Sequence, residues 1–279
     1  MPEQVVPVIS ASFRHRGDQS HYGHGVSLVE QRSRAGVIWS GAITARARPW
    51  PQFPSRAFLL IGGSHNPMLQ LPETPILQNW VDTLSRWGYD SVRTSPLAPV
   101  AATALSAVGF NTSQKLTLLE RTESDPVIVT RPLRSVRPRF PFSRMPAASL
   151  VEAILDIDRA AFGHEWMMDE QTFREALHAT RRARIFVSHA EGRISGFVIA
   201  GVTDSYGFIQ RLAVHPDFQR RGDANSLVQN SLAWIQSRGC KSTVVNTEVS
   251  NAAALSIYKR NGFVQLDYNL SVMERQLSI

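Results

Sequence analysis

Cysteine is almost missing: Cys240 is the only one in 279 residues. That excludes an internal disulfide framework and any multi-cysteine zinc or iron–sulfur site. Long apolar runs are missing too, since no uninterrupted stretch approaches the roughly 18 residues that a membrane-crossing helix needs. The opening Met1-Pro2-Glu3-Gln4 begins no basic-then-apolar leader. The expectation is a cytoplasmic protein with no membrane partner. No Walker loop, Ser/His/Asp order or metal motif stands out. His15, His21 and His24 lie among Gly, Ser and Gln with no third ligand type at a familiar spacing, which reads as a polar loop. With 43% hydrophobic residues, 17 Gly and 16 Pro, the chain is neither collagen-like nor strongly disordered.

What is present is a modest basic excess, 30 Lys plus Arg against 23 Asp plus Glu, for a formal charge of +7. Such a balance suits nucleic acid or an anionic small ligand. The length suggests about two domains, and a self-comparison says how they are related. Residues 84–121 and 235–275 share a helical tail ending in Gly, a short strand-like run, a small-residue helix closing in Gly-Phe, and a strand finishing in Glu-Arg. Gly88 to Phe110 is 22 positions and Gly239 to Phe263 is 24, while Phe110 to Arg121 is 11 and Phe263 to Arg275 is 12. This pattern suggests an old duplication, with domains over 1–124 and 125–279. The stretch from Thr130 to Pro146 holds five Arg and four Pro, so it is extended rather than helical. It reads as a solvated strand and loop; an RNA- or ribosome-binding arm is the weaker alternative, because no aromatic platform accompanies the arginines.

In the second half, Ser149 is placed to cap a helix over Leu150–Phe162, and a second helix is expected near Asp169–Ala179. Strand-like runs follow at Arg184–Ala190, Ile194–Val202 and Tyr206–Val214. A helix over Gly222–Ser237 carries Ala224, Leu227, Val228, Leu232 and Ile235 at helical spacing. A strand at Ser242–Thr247, a helix at Asn251–Arg260 and a strand at Val264–Met273 complete the pattern. The chemistry-bearing stretch is 208–232. A strand ends in Leu212-Ala213-Val214, a loop carries Gln219-Arg220-Arg221-Gly222-Asp223-Ala224, and a helix begins at once. A helix N-terminus with small residues beside it favours an anion such as a pyrophosphate, and Arg220 and Arg221 add mobile positive charge.

Those residues resemble the GCN5-related N-acetyltransferase family. Its acetyl-CoA loop, Gln/Arg-x-x-Gly-x-Gly/Ala, is matched by Gln219, Gly222 and Ala224, and Leu212 to Pro216 is similar to its strand-and-turn lead-in. Asn251 to Tyr258, followed by Asn261-Gly262-Phe263, is similar to its second cofactor segment. The resemblance covers about 127–275. It implies an α/β (α+β) architecture of tandem domains, each a mixed, mostly antiparallel sheet flanked by helices. It also implies acetyl-CoA as co-substrate and transfer of its acetyl group to a primary amine on a protein or small molecule, by direct attack in a ternary complex. Leu212, Ala213, Val214, Gln219, Arg220, Arg221, Gly222, Asp223, Ala224, Asn251 and Tyr258 are then the expected cofactor contacts, and Tyr258 the general acid. A core aromatic is the plain alternative for Tyr258.

The general base is less well marked. The central strand reads Phe208-Ile209-Gln210-Arg211, without the Glu of some relatives. Relatives that acetylate the N-terminal alanine of a ribosomal protein carry a Glu five residues before the helix Asn; that position here is Asn246, and Glu248 is the candidate instead. An ordinary surface carboxylate remains open for it. Residues 159–177 also look like those enzymes, so Glu165, Asp169 and Glu170 could receive a cationic amine or serve as helix-start charges. Asp223 departs from the family's usual neutral residue, and a carboxylate beside a pyrophosphate is costly unless it points to solvent. In the first copy, Ala98 and Leu105 stand where the second has Asn251 and Tyr258, and Gly62 to Pro67 holds no arginine. A shortened, non-catalytic first domain is expected, and an acyl-CoA-binding regulator without activity is the alternative for the whole chain.

Overall fold

A computed structural model describes residues 34–64, 66–136 and 146–277. His15, His21 and His24, and the arginines at 137–144, lie outside the described residues. Contacts divide the described residues into two compact units, one from Leu116 to Asp267 and the other joining 34–115 with 268–277.

In the unit built mainly from the first half, β1 (Gly36–Ser40), β2 (Thr44–Trp50) and β3 (Phe53–Ile61) form an antiparallel meander. Helix α1 (Thr74–Arg86) leads to β4 (Ser91–Thr94), which pairs parallel to β3, and α2 (Pro99–Ser106) follows. The strands alternate in the expected way, with Ala45, Ala47, Ala57, Leu59 and Ile61 facing one core. Leu77, Trp80, Val81 and Leu84 of α1, at helical spacing, are buried in the same core.

The second unit repeats the plan. After β5 (Asn111–Thr122) and β6 (Arg134–Val136) come α3 (Ala148–Trp166), α4 (Glu170–His178), β7 (Arg182–Ala190), β8 (Arg193–Val202) and β9 (Tyr206–Val214). Then follow α5 (Asp223–Gln236), β10 (Ser242–Glu248), α6 (Ala252–Arg260) and β11 (Val264–Gln276). The sheet order is β5-β10-β9-β8-β7-β6, with only β9 and β10 parallel. Helix α3 differs at its start from the sequence expectation. It begins at Ala148 behind Ala147, which makes no side-chain cap, so Ser149 lies inside the first turn. It also runs past Phe162 to Trp166 across a break at Gly163, whose φ is +70°.

Each unit is closed by a strand from the other half of the sequence. Leu116–Thr122 of β5 pairs antiparallel with all of β10, from Ser242↔Thr122 to Glu248↔Leu116. In the first unit the outer partner of β4 is the end of β11, through Glu274↔Arg93, Arg275↔Val92 and Gln276↔Ser91. A single cut in the sequence does not express this exchange. The matching Gly-Phe and Glu-Arg signatures meet through it. Gly262, at φ +83°, has Arg121 Nε 3.3 Å from where a Cβ would stand; Gly109, at φ +80°, has Arg275 Nε 3.5 Å away. Glycine is suited to both places, because the backbone is left-handed and an arginine lies against it.

A fragment of residues 125–279 would lack β5 and leave the edge of β10 bare. Leu116 and Leu119 are fully buried, and each apolar side chain removed forfeits about 1.5–3 kcal/mol. The fragment is expected to aggregate or associate rather than behave as a folded monomer. Size exclusion and circular dichroism check this, and a monomer with sharp cooperative unfolding would contradict it.

Candidate active site

The parallel pair β9 and β10 stays in register only over Ser242↔Tyr206, Thr243↔Gly207 and Val244↔Phe208. Beyond that point β9 keeps its outer partner β8 as far as Val214, and β10 keeps β5 as far as Glu248. The strands therefore part, and a wedge opens toward their C-terminal ends. A bulge bends β9 at the same level: Ile199 pairs with Arg211 and Ala200 with Ile209, which leaves Gln210 as the extra residue.

Polar side chains without protein partners gather on the strands that form this wedge. Both carboxamide atoms of Gln210 and of Asn246 are buried and unpaired, as is the Thr247 hydroxyl. Strand alternation separates them by face. A side chain at Gly207 would meet Ile235 of α5 and Thr243, so Thr243 and Thr247 look toward α5. Asn246 looks the other way. Gln210 does too, since a side chain at Gly201 would lie 2.8 Å from its Oε1 and would strike Thr180, just past α4. A buried polar group without a hydrogen bond costs about 1–3 kcal/mol, so such a cluster marks a place made for a ligand or water.

At the end of β9 the chain makes a short 3-10 turn over Pro216–Phe218 and enters the loop before α5. Leu212, Ala213 and Val214 are buried in β9, while Gln219, Arg220, Arg221 and Gly222 are exposed. Gln219 Nε2 donates to Val214 O at 3.3 Å. Arg220 has φ +63° and Gly222 φ +83°, so the loop turns back on itself to present the start of α5, where the first N–H groups have no partner inside the helix. Arg221 pairs with Glu191 at 2.9 Å and lies over Phe218, with its side chain half exposed. Ala224 is small and partly exposed. The loop thus combines open N–H groups, a positive helix end and exposed arginines, a set that fits phosphate oxygens.

For Asp223 the sequence left both a solvent-facing and an inward carboxylate open. Its carboxylate does not point to solvent: the residue is 3% exposed. It pairs with Arg131 and accepts from Ser195 Oγ at 2.6 Å.

Asn251 and Tyr258 both belong to α6, with Asn251 as its cap: its Oδ1 accepts from Ala254 N at 2.9 Å. Tyr258 lies seven residues on, two turns along the same face. It is fully buried, stacked edge-on against Phe263 at 5.5 Å, and its hydroxyl has no protein partner. Burial pushes this phenol above the usual tyrosine range, so it stays protonated. Glu248 ends β10 half-buried, on the Asn246 face, with the Ser250 hydroxyl donating at 3.4 Å. Asp169 caps α4 by accepting from Thr172 N at 2.7 Å, and Glu170 pairs with Arg174, so both serve as helix-start charges. Glu165 is half-buried on the last turn of α3.

One feature escaped the sequence reading. Arg211, next to the bulge, is fully buried and forms a two-point ion pair with fully buried Asp158 of α3, at 2.6 and 2.8 Å. Its guanidinium also donates to Trp166 O at 2.8 Å and lies over Phe162, while Asp158 accepts from Met168 N at 2.6 Å. The pair fastens β9 to the turn at 163–168. An arginine inside an otherwise apolar strand was the available signal, since a buried charge demands a partner. Asp158→Asn is expected to destabilise the fold by about 3–5 kcal/mol, because Arg211 keeps its charge without its counterion. Urea unfolding measures this, and a loss below about 1 kcal/mol would count against it.

The comparisons with known proteins agree on the second unit. Residues 151–263 match the model of a family described as the acetyltransferase (GNAT) family. The [ribosomal protein bS18]-alanine N-acetyltransferase of Escherichia coli (strain K12) is 29% identical over 111 residues, 40% of this chain and 72% of that protein. Among solved structures, a tandem GNAT protein from the clavulanic acid biosynthesis pathway has TM-score 0.58 at 13% identity, over 86% of this chain and 82% of that one. A GCN5-related N-acetyltransferase from Sphaerobacter thermophilus has TM-score 0.52 at 16% identity, over 85% and 78%. At these identities the two structures speak for the fold.

Proposed function

We propose that the protein, whose residues 151–263 match the model of the acetyltransferase (GNAT) family, transfers an acetyl group from acetyl-CoA to a primary amine in a ternary complex. The observation that carries this reading is the fully buried, unpaired hydroxyl of Tyr258, on the helix that follows β10 and its unpaired Asn246 and Thr247. Acetyl-CoA, when bound, supplies the thioester. The loop from Gln219 to Ala224 would hold its phosphates, with the end of β9, Leu212 to Val214, alongside the acyl arm. Asn251 fixes the start of α6 and so the position of Tyr258. As the new C–N bond forms and the C–S bond breaks, Tyr258 gives its proton to the departing sulfur. Glu248, reached through water, takes the proton that the amine loses. The carboxamides of Gln210 and Asn246, on the face away from α5, would meet the acceptor.

The acceptor is a protein N-terminus, a lysine or a small-molecule amine; the relative named for alanine of a ribosomal protein favours a protein amine. We read the first unit as non-catalytic. Buried Leu105 occupies the place matching Tyr258, and Ala98 starts α2 without a side-chain cap where Asn251 supplies one in α6.

Calorimetry should show acetyl-CoA binding to the native chain and a loss of at least about tenfold in Gly222→Trp, where a large side chain meets a left-handed backbone. Equal binding by both would remove the loop from the site. In a thiol-release assay across peptides and amines, Tyr258→Phe is expected to cut kcat by about 10²–10⁴ with the acetyl-CoA KM little changed. Full turnover in that variant would remove Tyr258 as the general acid. Because burial raises the Tyr258 pKa, the native rate should show no falling limb below about pH 10, the ordinary tyrosine value.

A further inference from the structure

Asp223 puts a negative charge on the first residue of the helix that the proposed function assigns to phosphate binding. Alone, that carboxylate would favour the empty loop, by interacting with the helix dipole, and would oppose an incoming phosphate. It is not alone. A strap from Asp125 to Val136 runs along α5 before joining the sheet edge as β6. Gln236 Nε2 donates to Asp125 O at 2.8 Å, and Thr130 Oγ1 donates to Gln229 Oε1 at 2.8 Å. Asn230, itself buried, clasps the next turn from both sides: its Nδ2 donates to Arg131 O at 2.8 Å and its Oδ1 accepts from Leu133 N at 3.0 Å. The Arg131 backbone is thereby fixed, and its guanidinium is delivered to Asp223 Oδ1. The other oxygen, Oδ2, accepts from Ser195 Oγ, which lies 2.9 Å from Ser188 Oγ in the interior. The carboxylate is held on both oxygens, while the Arg131 side chain stays 45% exposed.

We propose that Arg131 is a positioning residue for the acyl-CoA site: through its ion pair it turns Asp223 inward and cancels its charge, so that the α5 N-terminus can accept a phosphate. The strap that precedes the acetyltransferase domain is therefore part of the cofactor machinery. The Arg131–Asp223 pair is neutral as a unit, and it leaves the helix dipole, the open N–H groups and Arg220 to act on the ligand. Without Arg131, Asp223 becomes a buried, uncompensated carboxylate directly at the anion site. This inference rests on the reading of the loop as a phosphate site, and the test separates the two.

The experiment is calorimetric titration of the full chain with coenzyme A, for the native protein, Arg131→Gln, Arg131→Lys, Asp223→Asn and the double variant Arg131→Gln/Asp223→Asn. Arg131→Gln should weaken binding by about tenfold in dilute buffer, the scale of one uncompensated charge at a helix end. Arg131→Lys keeps the charge and should stay within about threefold of native, and the double variant should regain most of the affinity lost by Arg131→Gln. Arg131→Gln binding as tightly as native would overturn the proposal. So would a double variant as weak as Arg131→Gln, since Arg131 would then act on the ligand or the strap rather than through Asp223. If the native chain fails to bind coenzyme A, the phosphate-site reading falls and this inference falls with it; if the native chain binds and Arg131→Gln binds equally, only this inference falls.

Discussion

Two parallel strands cannot remain paired and also admit a ligand between them, and the site depends on how this protein resolves that conflict. β9 and β10 part after Val244↔Phe208, and each stays paired with its outer antiparallel neighbour. A wedge of bare backbone is unstable in isolation, because its N–H and C=O groups gain by closing on each other. Here closing would have to drag along the seven pairings of β10 with β5, or those of β9 with β8. The bulge at Gln210 adds a second obstacle, since an extra residue puts the strand out of step with a straight partner. The opening is therefore held by the ladders on either side of it.

Charge is handled by the same logic of holding from outside. Arg211 and Asp158 are both removed from water, a cost that only two-point pairing and additional hydrogen bonds offset. What the pair secures is geometry: Asp158 also receives Met168 N and Arg211 also reaches Trp166 O, so one contact fixes β9 and the turn after α3 together. Asp223 is a milder case just past the C-terminal end of β9, because its partner keeps one side in water. In both places a charge that looks misplaced along the chain is balanced by a residue far away in sequence.

That distance explains which features were legible beforehand. Periodicity is local, so α5, with Leu227, Val228, Leu232 and Ile235, and the strands β7 to β9 were readable to within about two residues, the usual uncertainty of element ends. The Gln219–Gly222–Ala224 loop and the Asn251-to-Tyr258 helix were readable because each is a short motif whose residues work side by side. The start of α3 was not, since Ser149 is a good capping type whose place was taken by chain entering from Ala147. The bulge at Gln210, the partner of Arg211 and the partner of Asp223 were not, because register and pairing across 53 or 92 positions leave no local trace. The Gly-Phe and Glu-Arg signatures showed a repeat, but only the pairing shows that each Arg packs on the other copy's glycine.

The exchange gives the first half a role that needs no chemistry of its own. Leu116 to Thr122 is the outer ladder of β10, so the residues that hold one wall of the wedge are encoded in the copy where Leu105 replaces the tyrosine. Selection on the site would then act on β5 and on Arg121 against Gly262 while leaving the first copy's own loop free to drift. With the two halves on separate chains, the same ladder would have to form between two molecules. Joining two copies in one chain makes that encounter intramolecular, with an effective concentration set by the connection rather than by expression level. Once covalently joined, one copy's loop is redundant for the wedge, but neither copy's last strand is.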